Sequence, residues 1–268
     1  MDRQILWDCH MHSSFSADSD TPMEVMIHRA VETGLQGITF TEHLDPDYPV
    51  TPDNLDIPAY KEKLAELSDI YKDKIQVRFG IELGLQMHLG EYFDSLLSQT
   101  PFDFVIGSSH LVHGYDPYYP EFFEGRKEFL CYMEYFESIL ENISAYDGFD
   151  VYGHIDYVVR YGPNKNREYS YGRYKDILDE ILKKLISMGK GIELNTGGYH
   201  YGLGEPNPCT AVIRRYRELG GEIITIGADA HTPDKIACAF DKAASVLEAC
   251  GFRYYTIFKD RKPEFISL

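Results

Sequence analysis

Two histidines spaced two residues apart mark the first point in the sequence where metal chemistry is possible. The stretch from Trp7 to His12 has the composition of a short buried strand, and it ends on His10 and His12. Residues two apart in a strand point to the same face, so both imidazoles are directed to one spot. Asp18 follows in a loop rich in serine and aspartate. Imidazole and carboxylate together are ligands for a divalent metal, although the pair alone is equally compatible with two partly exposed histidines.

The same feature recurs along the chain, because six of the seven predicted parallel strands end on a histidine or a carboxylate. The strand-end groups are His10, His12, His43, Glu82, His110, His154, Asp229 and His231. One strand-end histidine is commonly a structural residue, but the packing of a core does not explain this bias on six strands at once. We therefore predict a multinuclear metal site.

The elements that position these groups alternate between strand and helix. Predicted strands cover residues 7–12, 37–43, 76–82, 104–110, 150–156, 191–195 and 222–231, and predicted helices cover 22–33, 59–71, 89–97, 127–143, 174–188, 209–219 and 233–249. Thr21 is expected to cap the first helix, residues 45–58 to form a polar loop, and residues 253–268 to end the chain as a hairpin or a barrel edge.

Strict alternation of strands and helices implies a parallel sheet, and closure of that sheet brings all the strand ends together. Active sites of such barrels lie at the carboxyl ends of the strands. We predict an α/β fold, a TIM-like (β/α)7 barrel with the metal site at the C-terminal ends of its strands. The length of 268 residues suits a single domain over residues 1–268.

The number of donors sets the number of metal ions. Eight strand-end groups and Asp18 make nine donors, too many for one four- to six-coordinate ion, and a carboxylate such as Glu82 can bridge two ions. Two or three divalent transition-metal ions are implied. Zinc, iron and manganese all accept imidazole and carboxylate ligands, so the sequence leaves the metal open.

Charge and composition exclude several classes of partner. The chain has 26 basic and 43 acidic residues, a formal net charge of −17, which argues against duplex nucleic acid and anionic membranes. No apolar run reaches about 18 residues, and the N-terminus lacks a secretion signal. The five cysteines form no Cys-x-x-Cys pair, which indicates reduced thiols. We expect a cytoplasmic protein, and the sequence does not indicate its oligomeric state.

The ordered set of motifs resembles the polymerase-and-histidinol-phosphatase (PHP) family across nearly the whole chain. The matching motifs are His10-Met-His12, Thr41-Glu-His43, the lone Glu82, Ser109-His110, Gly153-His154 and Asp229-Ala-His231. Within the family, the chain length, the segment from Ile155 to Tyr161 and Asn195-Thr196 are similar to the stand-alone histidinol-phosphate phosphatases. The resemblance implies a distorted seven-stranded barrel and a phosphomonoesterase of histidine biosynthesis that takes a small phosphorylated substrate, L-histidinol phosphate.

The resemblance also implies how three metal ions are held. The first ion would be bound by His10, His12, Glu82 and Asp229, the second by Glu82, His110 and His154, and the third by Asp18, His43 and His231. Many family members carry the loop aspartate one residue earlier, where this chain has Ala17, so the assignment of Asp18 assumes a slightly longer loop.

Catalysis in such a site is expected to use a hydroxide shared between two ions, which attacks phosphorus in line without a covalent phosphoenzyme. Glu82 would bridge the ions, and Asp229 or His231 would deliver the proton that the leaving alcohol needs. Arg160 is our choice for the side chain that binds phosphate, since a guanidinium offers two donors at once; a loop salt bridge is its alternative role.

Two further histidines are candidates for substrate binding. His113 lies close enough to His110 in sequence to line the site, although a loop role is equally compatible. His200 stands where similar phosphatases tend to carry an arginine, and its alternative is an uninvolved loop residue. If His200 contacts phosphate through its protonated form, substrate affinity should strengthen as the pH falls toward about 6.

Other functions stay open at this point. The same metal chemistry would serve a nucleotide phosphatase or a nuclease acting on short nucleic acids, although the net charge disfavours long polyanions. A metal-binding regulatory module without catalysis is a third possibility, which the complete ligand set argues against. An amidohydrolase also begins with His-x-His, but no strand-end lysine is present to form a carbamylated bridge, and Glu82 takes that position.

Overall fold

Seven parallel strands form the centre of the molecule, and they pair in the order in which they occur along the chain. The computed structural model describes residues 5–49 and 55–268. The strands are β1 (Trp7–Met11), β2 (Gly37–Leu44), β3 (Gln76–Gly84), β4 (Phe104–Ser108), β5 (Val151–Tyr152), β6 (Gly191–Asn195) and β7 (Ile224–Gly227). The predicted parallel sheet is confirmed.

Closure of the sheet is provided by contacts between its first and last strands. The His12 N–H donates to the Ala230 carbonyl at 2.9 Å, and the Asp229 N–H donates to the His10 carbonyl at 2.8 Å. Met11 and Ala230 form a parallel bridge. The sheet is therefore a nearly closed barrel, and the predicted TIM-like (β/α)7 fold is confirmed. Its distortion is visible in β5, which is only two residues long.

Helices surround the sheet on the outside. They are α1 (Met23–Glu32), α2 (Ile57–Tyr71), α3 (Gly90–Gln99), α4 (Glu128–Ala145), α5 (Lys175–Ser187), α6 (Gly197–His200), α7 (Thr210–Glu218) and α8 (Phe240–Ala249). Each long helix buries one apolar face against the strands; in α5 the buried side chains include Leu178, Ile181, Leu182 and Leu185. One continuous hydrophobic core extends from Ile5 to Phe258.

Several element boundaries differ from the sequence prediction. Thr21 does not cap α1, because its hydroxyl donates to the His231 carbonyl at 3.2 Å instead. The last helix begins at Phe240 and not at 233, since Ala237 and Ala239 adopt positive φ angles of 54° and 57° that an α-helix cannot contain. Part of the predicted 45–58 loop, residues 50–54, lies outside the described residues.

The chain ends in an antiparallel hairpin of β8 (Tyr254–Lys259) and β9 (Lys262–Ser267), so the predicted terminal hairpin is confirmed. Across the described ranges 5–49 and 55–268, none of the helices has the length and apolar character needed to cross a membrane.

Candidate metal centre

The nine predicted ligands meet at the carboxyl ends of the parallel strands. The ligands of β1, β2 and β3 lie within the last residues of these strands or just beyond them. The register places His43 of β2 directly opposite Glu82 of β3. The other ligands follow β4, β5 and β7, and Asp18 reaches them from the loop after β1. Their ligand atoms form three groups, and each group lies next to Glu82, Asp229 or both.

The first group surrounds the imidazole of His10. Its Nε2 lies 3.1 Å from the Nε2 of His12, 3.1 Å from Glu82 Oε2 and 3.6 Å from Asp229 Oδ1. The Nε2 of His12 is 3.5 Å from the same Asp229 oxygen. These four residues are the set that the resemblance implied for the first ion.

The second group lies on the other oxygen of Glu82. Oε1 is 3.0 Å from the Nε2 of His154 and 3.4 Å from the Nε2 of His110. Ser108 donates its hydroxyl to the same oxygen at 2.6 Å. Oε2 faces His10 and His12 and also lies 3.0 Å from the Nδ1 of His43. The two oxygens of Glu82 thus face different histidines, the arrangement that a bridging carboxylate requires.

The third group is nearer the surface. Asp18 Oδ2 lies 3.0 Å from the Nε2 of His231 and 3.5 Å from the Nε2 of His43, and these two nitrogens are 3.4 Å apart. The longer loop assumed for Asp18 therefore brings its carboxylate to the two histidines with which it was predicted to act.

The orientation of three of the imidazoles fits a metal, because their Nδ1 atoms donate to neighbouring side chains. His10 Nδ1 donates to Glu193 at 2.7 Å, His12 Nδ1 donates to Ser16 at 3.1 Å, and His110 Nδ1 donates to Asp45 at 3.0 Å. A neutral imidazole has one N–H, so these bonds leave the Nε2 lone pairs facing one another and the carboxylates. Converging lone pairs repel unless a cation lies between them.

The pKa values of the site also favour added positive charge. Burial opposes ionisation of Glu82 and Asp229, but the facing imidazoles outweigh it and hold the pKa of each carboxyl well below its usual range. Burial likewise opposes protonation of His110, yet Asp45 and Glu82 raise the pKa of that imidazole to about 10. The site is therefore electrostatically suited to divalent cations, which replace such protons.

Arg160 lies at the base of this cluster, fully buried, and its guanidinium is held on three sides. It donates to Asp229 Oδ2 at 2.9 Å, to Asn195 Oδ1 at 3.0 Å and to Asn207 Oδ1 at 2.8 Å. Three of its five N–H groups are therefore occupied, which leaves two donors for an anion. The buried pair with Asp229 is the salt bridge that the sequence analysis gave as the alternative role of Arg160, and its binding of phosphate stays a prediction.

His200, on α6, lines the same cavity as Arg160, and its Nδ1 is buried with no hydrogen-bond partner among the described residues. Burial and the nearby charge of Arg160 lower the pKa of this imidazole, which disfavours its protonated form. The contact of His200 with phosphate stays a prediction.

The structure does not bring His113 into the site. His113 is exposed, and its ring contacts Glu134 at 3.4 Å and Glu141 at 3.2 Å on the outside of α4. Its φ of 50° and the following Gly114 turn the side chain away from the cavity. The assignment of His113 to substrate binding was wrong for this geometric reason.

Three buried carboxylates that hold ligand histidines were missing from the predicted set. They are Asp45 beside His110, Glu193 beside His10, and Glu42, which accepts from Ser16 at 2.6 Å. A signal for Glu193 was present in the sequence, since Glu193 and Asn195 repeat the i, i+2 spacing of a strand-end pair. Such outer carboxylates fix the tautomer of a metal-binding histidine.

An open cavity of 580 Å³ lies over the metal centre. Its lining includes candidate ligands and cations, among them His154, Arg160 and Lys235. It also includes six tyrosines, of which Tyr157 lies against His154 and Tyr201 against Arg160: Tyr48, Tyr118, Tyr119, Tyr157, Tyr161 and Tyr201. Asp116 lies among them, buried, and accepts hydrogen bonds from Tyr48 at 2.6 Å and from Tyr157 at 3.3 Å. A volume of this size accommodates a small molecule.

A seven-stranded α/β barrel with histidines and carboxylates converging under a cavity defines a hydrolase that uses divalent metals. Comparison with known proteins identifies the family of the chain. It matches the PHP domain over residues 8–197, and the chain belongs to the PHP family. The family predicted from the motifs is confirmed.

Individual relatives extend the match over the whole chain. The chain is 31% identical over 256 residues to the histidinol-phosphatase of Lactococcus lactis subsp. lactis, covering 95% of both proteins. It is 32% identical over 253 residues to a probable histidinol-phosphatase of Clostridium acetobutylicum, covering 93% of this chain and 95% of the relative. A crystal structure of the Lactococcus lactis histidinol phosphate phosphatase, complexed with zinc, L-histidinol and phosphate, superposes with a TM-score of 0.91 at 30% identity, covering 96% of this chain and 98% of that one.

Proposed function

We propose that the protein is a metal-dependent phosphomonoesterase that hydrolyses L-histidinol phosphate to L-histidinol and inorganic phosphate. The observation that carries the proposal is the convergence of eight side chains able to hold a metal, joined by Asp18, at a cavity of small-molecule size. Two relatives at 31% and 32% identity, aligned over more than nine-tenths of the chain, are histidinol-phosphatases or probable ones and support the choice of substrate.

Three divalent ions suit the donor geometry. His10, His12, Glu82 and Asp229 would hold the first, Glu82, His110 and His154 the second, and Asp18, His43 and His231 the third. Zinc is our first choice among zinc, iron and manganese, since the related Lactococcus lactis structure is complexed with zinc. The donor set itself accepts all three metals.

Charge balance supports the higher number of ions. Five carboxylates touch the histidines of the cluster, and one guanidinium lies against it: Asp18, Asp45, Glu82, Glu193, Asp229 and Arg160. With neutral imidazoles this sums to four negative charges. Two divalent ions would neutralise the site, whereas a third leaves it cationic and so attractive to a phosphate dianion.

Bound metal ions would supply an activated water and offset the charge of the phosphoryl oxygens. Glu82 would contribute its two oxygens to two ion sites, and the two unoccupied N–H groups of Arg160 would be available to a phosphoryl oxygen. Asp229 and His231 are the two candidates for the proton donor to the leaving alcohol, and both are also assigned as ligands.

The tyrosine rings that line the cavity can contact the organic part of the substrate. An imidazole ring can stack on the rings of Tyr118 or Tyr161, and the negative charge of Asp116 favours the ammonium group of histidinol. A single domain, a small phosphorylated substrate without nucleic acid, and a cytoplasmic location stay predictions from the sequence.

A phosphate-release assay tests the proposal. The zinc-loaded protein is given L-histidinol phosphate, nucleoside monophosphates and a dinucleotide, and kcat/KM is compared. We expect the highest value for histidinol phosphate, by tenfold or more. A higher value for a nucleotide or the dinucleotide would support the alternative nucleotide phosphatase or nuclease, and no release from any substrate would favour a metal-binding module without catalysis.

A further inference from the structure

Strand β6 contributes none of the candidate metal ligands found among the described residues, yet its carboxyl end is as polar as those of its neighbours. Glu193 and Asn195 lie there with no exposed surface. β6 pairs with β5 on one side and with β7 on the other, and these strands lead to His154 and to Asp229. A buried carboxylate at this point needs partners that stabilise its charge.

Glu193 has three such partners, and all of them are donors. His10 Nδ1 donates to Oε1 at 2.7 Å. The backbone N–H of His154 donates to Oε2 at 3.1 Å, and Asn195 Nδ2 donates to the same oxygen at 3.0 Å. The carboxylate therefore connects a ligand of the first ion site with the chain segment that carries a ligand of the second.

The surrounding backbone is shaped to admit this carboxylate. A Cβ atom at Gly227 would lie 2.4 Å from Glu193 Oε1, and a Cβ at Gly153 would lie 3.5 Å from Oε2 and 2.6 Å from Ser108 Oγ. Gly227 must be glycine for the Glu193 side chain to reach His10. The contact thus depends on a matched pair of positions on β6 and β7.

We propose that Glu193 is a positioning residue that holds His10 with its proton on Nδ1 and its Nε2 lone pair directed at the metal centre. Through its bond from the His154 N–H, it also fixes the position of that segment relative to His10. The inference rests on the metal centre proposed above. Because every partner donates, only a carboxylate satisfies all three at once.

Replacing Glu193 with glutamine removes the charge and changes the hydrogen bonding, while the size of the side chain stays the same. If its amide oxygen faces His10, its NH2 group meets two donors, His154 N–H and Asn195 Nδ2. If it is flipped, the NH2 faces His10 Nδ1, which must then accept, and the imidazole proton moves to Nε2, where it blocks the metal. Either orientation weakens metal binding at the His10 site, by about 10- to 100-fold for a lost outer partner.

The test uses zinc alone, so it does not depend on the identity of the substrate. Wild type, Glu193→Gln and Glu193→Asp are titrated with zinc in competition with a chromophoric chelator, and the cobalt-loaded proteins are compared by their d–d absorption. Asp179→Asn is the matched control, because Asp179 is a buried carboxylate that pairs with Arg215 at 2.7 Å on α5 and α7, away from the site.

We expect Glu193→Gln to weaken one class of zinc site 10- to 100-fold, to change the cobalt spectrum and to lower kcat, with excess zinc restoring turnover at unchanged KM. Asp179→Asn should lower the Tm with wild-type zinc affinity. Should Glu193→Gln fail to fold, Glu193→Asp keeps the charge one methylene short of His10 and is expected to show the same selective weakening.

Wild-type zinc affinity and spectrum in the folded Glu193 variants would overturn the inference. An equal weakening of every zinc class, alongside a loss of Tm like that of Asp179→Asn, would also overturn it, since this is general loosening. A wild-type protein that binds no zinc would instead refute the metal centre itself, which distinguishes failure of the proposed function from failure of this inference.

Discussion

Replacing Glu82 with glutamine tests whether one carboxylate joins two parts of the metal centre. Oε1 faces His154 and His110 at 3.0 and 3.4 Å. Oε2 faces His10, His12 and the Nδ1 of His43 at 3.1, 3.6 and 3.0 Å. Glutamine keeps the size of the side chain, but it has no charge and one of its ends becomes a donor. The loss of one partner from a buried charge pair costs about 3–5 kcal/mol. At about 1.4 kcal/mol for each factor of ten, the affinity for each bridged ion should fall roughly 200- to 5,000-fold.

The assay measures zinc per chain after dialysis and kcat/KM for histidinol phosphate. Asp18→Asn is the control, because Asp18 faces only the two histidines of the third group. We expect Glu82→Gln to lose two ions and more activity than any single histidine variant, and Asp18→Asn to lose one ion. A Glu82→Gln protein with wild-type zinc content and kcat/KM within about tenfold of wild type would refute the bridging role.

Four further outcomes follow from the structure. Chelation should abolish phosphate release and lower the Tm by several degrees, because ions bound only by the folded state stabilise it; a calorimetric scan with and without zinc measures this. Arg160→Met should lower the free energy of unfolding by about 3–5 kcal/mol, because it removes the cation of a buried ion pair, and it should raise KM, as denaturant titration and kinetics will show. His200→Arg should lower the inhibition constant of inorganic phosphate about tenfold, because it adds a permanent charge at the cavity; an unchanged constant would remove His200 from the phosphate site. Arg215 lowers the pKa of Asp179 to about 2, below its unfolded value, so their ion pair stabilises the fold above about pH 4 and this stabilisation is lost as the pH falls toward 2. Asp179→Asn should therefore lower the free energy of unfolding by about 1–2 kcal/mol at pH 7 and leave it unchanged near pH 2. Urea unfolding at both pH values measures this.

The convergence of the candidate metal-binding residues could be predicted because of a simple regularity of parallel sheets. In strictly alternating βα units, the carboxyl ends of all strands meet at one edge, so a polar residue at a strand end has a defined place before its neighbours are known. His43 opposite Glu82 in the strand register illustrates this. The hydrophobic pattern likewise located the strands, although the ends of β5 and β7 were placed too far along the chain.

The roles of residues beyond the strands depended on the tertiary structure. His113 and His200 are both histidines of loops or short helices near the site, and their sequence surroundings do not distinguish them. His113 is exposed and contacts Glu134 and Glu141, whereas His200 lines the cavity together with Arg160, where burial and that charge lower its pKa. The local pattern of hydrophobic residues does not predict whether a histidine in a loop or short helix faces the cavity or the solvent.

The sequence by itself determined which side chains are candidates for metal binding and at which end of the barrel they lie, since strand alternation and covalent order fix the places of the strand ends. Only the tertiary structure decided how those side chains are held. Glu193 is 183 residues from His10 along the chain, and their 2.7 Å contact exists because β6, β7 and β1 are brought together when the barrel closes. Contacts across that closure are set by packing of the whole sheet, which no local pattern of residues encodes.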